Sequence, residues 1–317
     1  MSQAFDSHGI GVIGKFICQI GDAQELRLAA AFEHIRVQLW ICCDGKLKLQ
    51  ARQIAATCQH GDGEIKKDSL DIGTGIGNSF NWTLWKQENG NSKYHGRDRH
   101  EAMRQLEDSL RRLQTDYLDL WQVHELAYDN DPEWHFAPGG VMEAIDQAKR
   151  EGKVRFVGFT GHKSAEIHLK MLSYGYPFDA CQMPLNALDG TFRSFEQKVL
   201  PELERQGIAA IGMKSMGGGG DMVKAGVLTA EEALRYVMSL PIASVISGID
   251  SMAILQQNLK VARNFQPFSA EEMQALRARC APSAADGRYE LYKVSARHEG
   301  PIGRAQHGFP AYREMRD

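Results

Sequence analysis

The sequence lacks the features that would direct a chain to a membrane, a nucleic acid or an oxidising compartment. No apolar run reaches the roughly 18 residues of a membrane-spanning helix. The opening residues, M-S-Q-A-F-D-S-H, have none of the basic start of a secretory signal. Neither sign of charge dominates: 37 Lys and Arg stand against 40 Asp and Glu, a net charge of −3. That balance gives no reason to expect nucleic acid or an anionic membrane surface as a partner. The six cysteines (Cys18, Cys42, Cys43, Cys58, Cys181, Cys280) form no C-x-x-C pair, so reduced thiols in a cytoplasmic protein are expected. The histidines are scattered: His162 and His168 are not at the i, i+4 spacing of a helical metal site, and no metal is expected. Tyrosine is absent before Tyr94.

What is present suits one large domain. The chain has 317 residues, 43% of them hydrophobic, enough to bury a sizeable core. Residues 22–34 read as a helix capped by Asp22, and residues 37–42 as a short strand. From Gln59 to Ser92 the pattern dissolves into Gly, Asn, Lys and Asp with isolated aromatics, an unusually long structureless stretch for a compact domain. Within it, L-D-I-G-T-G-I-G (70–77) resembles the glycine-rich loop of S-adenosylmethionine-dependent methyltransferases. That loop needs a strand before it and a helix after it. Lys66, Lys67 and Asp68 on one flank and Asn78, Asn81, Gly90 and Asn91 on the other supply neither, so a flexible turn is the expectation.

Order returns after Lys93. Asp98 and Glu101 make a capping box for a helix to Leu113, with Met103, Leu106 and Leu110 on one stripe. Residues 114–125, Q-T-D-Y-L-D-L-W-Q-V-H-E, read as a strand buried on both faces and ending in His124. A loop is expected over 130–140. Strands then follow at 154–159, 178–185, 208–213 and 243–247, separated by helices at 141–151, from Ser164, at 194–206 and at 229–240. Helices at 252–262 and 269–279 come last, and residues 280–317 are expected as a polar tail. This alternation predicts an α/β fold, either a (β/α)8 TIM barrel or a doubly wound sheet. Polar residues end five successive strands: His124, residues 160–162, Gln182, residues 214–220 and residues 248–251. In a barrel those ends share one rim, which favours the barrel. One domain over residues 1–317 is expected, with 36–92 a divergent segment and the N-terminal units irregular or incomplete.

The orderly part resembles the aldo/keto reductases. The resemblance rests on D-S-L-R-R-L-Q-T-D-Y-L-D-L-W-Q-V-H (108–124), G-K-V-R-F-V-G-F-T-G-H (152–162), F-D-A-C-Q-M-P-L-N (178–186), G-M-K-S-M-G-G-G (212–219) and G-I-D-S-M-A-I-L-Q-Q-N (248–258). It implies a TIM barrel that binds NADP(H) or NAD(H) without a Rossmann fold and reduces a small-molecule carbonyl substrate, an aldehyde or ketone. In that family a tyrosine gives a proton to the carbonyl oxygen, a lysine paired with an aspartate lowers its pKa, and a histidine orients the carbonyl. The histidine falls on His124 and the lysine on Lys93, in S-K-Y-H-G-R-D (92–98). By the same resemblance Thr160, Gly161 and Gln182 would hold the nicotinamide carboxamide. Lys214, Ser215, Met216, Gly217 and Gly218 would line the pyrophosphate. Gly248, Ile249, Asp250, Ser251, Gln257 and Asn258 would meet the adenosine end. No basic residue stands between Gly248 and Asn258, where a 2′-phosphate would want one, so NADP and NAD stay alternatives.

The family's tyrosine and aspartate have no counterpart here. C-Q-H-G-D-G-E (58–64) puts Gln59 or His60 near the tyrosine's place, and no acid stands at 55–57. Either residues 36–92 are a divergent or frame-disrupted stretch, or another group such as His60 or Tyr94 donates the proton. The expectation is an NAD(P)H-dependent oxidoreductase with impaired turnover. The alternative is a catalytically inactive barrel that binds a nicotinamide nucleotide or a protein partner.

Overall fold

The computed structural model describes residues 97–310 apart from 114 and 250. The expectations placed on Lys93, Tyr94, His60, Asp250 and the segment 36–92 lie outside the described residues.

Helix α1 (Arg99–Leu113) begins as its capping residues dictate, with Asp98 Oδ1 accepting from the Glu101 N–H at 2.9 Å. It buries Ala102, Leu106 and Leu110 on one stripe. Strand β1 (Leu118–Leu126) follows, then α2 (Asp131–Phe136), α3 (Val141–Arg150), β2 (Val154–Gly161), α4 (Ala165–Ser173) and β3 (Ala180–Pro184). Helices α5 (Phe195–Lys198) and α6 (Leu200–Gln206) lead to β4 (Ala209–Met213). After α7 (Asp221–Lys224) and α8 (Ala230–Met238) come β5 (Ser244–Val245), α9 (Met252–Arg263) and α10 (Ala270–Ala284). The described residues end with α11 (Leu291–Val294), a 3-10 turn (Ala296–His298) and α12 (Pro301–Gln306).

The five strands are parallel and neighbour one another in chain order, β1-β2-β3-β4-β5. A doubly wound sheet reverses its strand order at a switch point. No reversal occurs among these five, so their arrangement is that of a barrel sector with helical crossovers. In-register neighbours share a face. Val123, Phe159, Cys181 and Ala210 form one such row, all buried. Phe159 lies 5.4 Å from the His168 ring of α4, which identifies this as the helix-covered face. Thr160, Gln182 and Ile211 form a row on the opposite face, the interior of a barrel.

Local chemistry explains where the structure departs from the pattern. Residues 131–136 are helical rather than loop, because Pro132 sits in the first turn, where its missing N–H is no loss. The helix expected at 194–206 is two helices meeting at Val199, where Pro201 cannot donate to the preceding turn. Strand β5 is only two residues long. The largest departure is the C-terminus. Of the expected polar tail, residues 280–310 are mostly helical and put Glu290, Tyr292, Lys293 and Arg304 in the interior.

His168 is fully buried on α4, between the Phe159 and Phe195 rings. Burial lowers its pKa from 6.5 to about 4. A histidine depressed in the folded state contributes stability that is present above the unfolded pKa and lost as pH falls toward the folded one. Urea denaturation should therefore show His168→Gln losing about 2 kcal/mol less than the native chain between pH 7 and pH 5. An identical pH slope in both proteins would contradict a neutral buried imidazole.

Candidate active site

The site begins with a count of residues on β1 and β2. Val123 pairs with Phe159 and Leu126 with Gly161, so β1 places two residues, His124 and Glu125, where β2 places one, Thr160. Such a bulge re-aims side chains. Here it places two residues, His124 and Glu125, beside the single residue Thr160 at the C-terminal end of the strand. A regular strand would have turned Glu125 to the helix side with Val123.

Glu125 is 6% exposed. Its Oε1 lies 3.4 Å from His162 Nε2, just past the end of β2. The Gly300 N–H donates to its carboxyl, and Arg97, Asp131 and Lys214 act on it electrostatically. Burial dominates and raises the Glu125 pKa to about 7. His162 goes the other way: burial first, and then the Lys214 charge, push its pKa well below 6.5.

Deeper in the same face, Gln122 Nε2 donates to Gln182 Oε1 at 3.1 Å, reaching from β1 to β3 across Gly158. A side chain at Gly158 would have its Cβ 2.5 Å from the Ala180 carbonyl oxygen. Thr160 pairs in register with Gln182, and its buried Oγ1 has no hydrogen-bond partner among the described residues.

The loop after β4 turns through left-handed backbone at Lys214, Gly217, Gly218 and Gly220. Gly217 backs onto Tyr289, whose carbonyl oxygen would lie 2.5 Å from an added Cβ. Ser215 is buried and Met216 packs on the core, so both face inward. Gly218 is open. Lys214 places its ammonium 5.0 Å from the centre of the Tyr292 ring. After β5, Gly248 is open, Ile249 joins the core and the Ser251 hydroxyl caps α9 by accepting from Ile254 at 3.2 Å. Gln257 is half-buried. Asn258 donates to Ser247 Oγ at 3.2 Å, while its buried Oδ1 has no partner among the described residues.

Sequence reasoning missed what covers this rim. Lys293 is fully buried, and its ammonium donates to Asp189 at 2.6 Å, the Phe192 carbonyl at 2.8 Å and Glu290 at 3.0 Å. Tyr292 donates to Glu290 at 2.6 Å, and Asn186 donates to Glu290 at 3.0 Å. Beyond this anchor the chain crosses the strand ends. The His298 carbonyl lies 3.2 Å from His162 Nε2, and Lys163 pairs with Glu299 at 2.7 Å. Gly300 then meets Glu125. The segment finishes on the β1 side, where His307 Nε2 is 2.8 Å from Asp131 Oδ1 and its ring stacks on Trp134. Arg97 holds the same carboxylate at 2.9 Å. The signal available in the sequence was E-L-Y-K-V (290–294), where an acid and a base stand three apart among apolar residues.

Residues 67–220 match the model of the Aldo/keto reductase family. Over 151 residues the chain is 30% identical to "Probable aryl-alcohol dehydrogenase AAD4" of Saccharomyces cerevisiae, covering 45% of this chain and 43% of that protein. It is 27% identical over 119 residues to "Uncharacterized oxidoreductase YcsN" of Bacillus subtilis, covering 35% and 37% respectively. The match thus spans less than half the length of these curated relatives. Among solved structures, the holo form of aldo-keto reductase AKR11C1 from Bacillus halodurans superposes with a TM-score of 0.53. It covers 71% of this chain and 82% of that chain at 20% identity. That likeness shows the fold, a TIM barrel of which β1 to β5 and their helices are the described part.

Removing the ammonium from the C-terminal anchor should be severe, because Asp189 and Glu290 would be left buried without their cation. Lys293→Met is expected to cost about 3–5 kcal/mol in denaturant midpoint measurements and to expose residues 287–310 to limited proteolysis. A shift under about 1 kcal/mol would show that the anchor is not buried as described.

Proposed function

Because residues 67–220 match the Aldo/keto reductase family model, we propose that this chain is an oxidoreductase that reduces an aldehyde or ketone with NADPH or NADH. The observation that carries this reading is the bulge, which gathers His124, Glu125 and Thr160 at one strand end with Gln182 in register beside them.

The residues fit a dinucleotide. Buried polar atoms normally find partners, and Thr160 Oγ1 and Asn258 Oδ1 have none among the described residues. Thr160, Gly161 and Gln182 would take the carboxamide end, with the Gln182 amide oriented by Gln122. The Lys214 ammonium and the backbone of Gly217 and Gly218 would take the pyrophosphate, since left-handed glycine turns present N–H groups to anions. Ser215 and Met216 face inward and contribute the shape of the turn rather than contacts. Gly248, the α9 N-terminus and Asn258 would meet the adenosine end, joined by Gln257 and by Asp250, which lies outside the described residues. Bound there, a reduced nicotinamide supplies a hydride to the carbonyl carbon. His124 donates a hydrogen bond to the carbonyl oxygen and orients it. The covering segment, residues 295–300, excludes water from that end of the strands. Lys93, on which the family's lysine falls by resemblance, lies outside the described residues.

A cytoplasmic setting accords with the free thiols of Cys181 and Cys280, both buried. No helix among the described residues is long and apolar enough to cross a membrane. The name of the yeast relative, an aryl-alcohol dehydrogenase, makes an aromatic aldehyde the first substrate to try.

Titration with NADPH and with NADH, followed by nicotinamide fluorescence, tests the reading. At least one should bind, and Lys214→Gln should weaken that binding about tenfold to a hundredfold, less so at high salt. Binding with no oxidation of the dinucleotide on adding aldehyde would favour the second reading, a barrel that holds the nucleotide without turnover, which the lack of tyrosine before Tyr94 motivates. Binding of neither dinucleotide would end both readings.

A further inference from the structure

The turn after β4, proposed above to take the pyrophosphate, begins on a residue that needs support. Lys214 lies in the left-handed region at φ 56°. A residue with a side chain adopts that form at a cost and keeps it only where its surroundings fix it. The Lys214 carbonyl oxygen closes the turn by accepting from the Gly217 N–H at 2.9 Å. The same oxygen accepts from Asn186 Nδ2 at 3.3 Å. Asn186 follows β3 and is fully buried.

The orientation of the Asn186 amide follows from its neighbours. Its Oδ1 accepts from the Leu188 and Asp189 N–H groups, both at 2.9 Å. Its Nδ2 faces oxygens: Glu290 Oε1 at 3.0 Å, and the Lys214 carbonyl and the Tyr292 hydroxyl, both at 3.3 Å. Tyr292 gives its own hydrogen to Glu290, so its oxygen is left to accept. Turning the amide over would set its NH2 against two N–H donors and its oxygen against a carboxylate and a carbonyl. One side chain therefore joins the loop after β3, the turn after β4 and the buried C-terminal anchor. The C-terminal residues meet the turn a second time at Gly217, where an added Cβ would lie 2.5 Å from the Tyr289 carbonyl oxygen.

We propose that Asn186 is the positioning residue of the pyrophosphate turn, holding the Lys214 carbonyl so that the turn keeps its left-handed form before a dinucleotide arrives. The inference rests on the proposed binding of a nicotinamide dinucleotide at this turn. A turn already shaped gives up little conformational freedom when its backbone takes a phosphate, and that preorganisation raises affinity. Asn186 acts through Lys214 rather than by contact, because it is fully buried and its amide oxygen and nitrogen are both engaged within the protein. Glu290 and Tyr292 hold the same amide, so the C-terminal anchor supports dinucleotide affinity from behind the turn.

The test is Asn186→Ser. The serine hydroxyl accepts from the Leu188 N–H in place of the amide oxygen, which keeps the loop after β3, but it is too short to reach the Lys214 carbonyl. Affinity for the tighter-binding nicotinamide dinucleotide should fall about tenfold. ADP-ribose, which carries the pyrophosphate without the nicotinamide, should lose as much. In a Lys214→Gly background the same substitution should cost less than about threefold, because glycine takes the left-handed form without help. A residue that only supports the fold would cost the same in both backgrounds. Unchanged affinity in Asn186→Ser, equal losses in the two backgrounds, or a loss seen with the dinucleotide and not with ADP-ribose overturns the inference and leaves the proposed function standing. Failure of both Asn186→Ser and Asn186→Ala to fold does the same, since Asn186 is then a structural residue. A native chain that binds neither NADPH nor NADH overturns the proposed function, and the positioning role with it.

Discussion

A fully buried ammonium cannot be left without counter-charge, and the placement of Lys293 governs much of this structure. Its three acceptors come from two places distant in sequence, Asp189 and Phe192 after β3 and Glu290 beside it. Holding that cation ties the C-terminal residues to the loop after β3. The exposed pairs on α1, such as Arg104 with Asp108, are more numerous but add little, because water screens them. The buried cluster is where removal of one partner is expensive.

From that anchor the chemistry of the rim follows. With residues 287–294 fixed, the next turn passes over the ends of β2 and β1 and closes on Asp131 through His307. Covering the strand ends removes water from Glu125 and His162, and desolvation then works in opposite senses on an acid and a base. The result is a carboxyl whose pKa is raised to about 7 beside an imidazole whose pKa is lowered. The same cover brings Tyr292 against Lys214, so one segment packs on the ends of β1, β2 and β4.

The barrel sector was legible in the sequence because its strands are largely apolar runs, each followed by polar residues. Thr160, Gln182 and Lys214 stand where that pattern places them, at the ends of β2, β3 and β4. Two features were not legible. The bulge at His124 and Glu125 depends on the register between two strands, and hydrophobic alternation in one strand carries no register. The C-terminal cover read as a polar tail because Glu290, Tyr292, Lys293, Glu299 and Arg304 look solvated until their partners, far away in sequence, are known. Pro132 and Pro201 also misled, since proline in a first helical turn and proline as a breaker look alike in one dimension. Among the positions the resemblance assigns to the cofactor, Ser215 and Ile249 are buried and Met216 packs on the core.

The central claim is that the ends of β1 to β5 form one dinucleotide-binding rim beneath the C-terminal segment. Hydrogen–deuterium exchange with and without the tighter-binding nicotinamide dinucleotide tests it most directly. The account predicts added protection in peptides covering residues 158–162, 180–186, 214–220 and 247–258, and in the covering residues 295–300. Protection confined to other parts of the chain, or none at saturating dinucleotide, would contradict it.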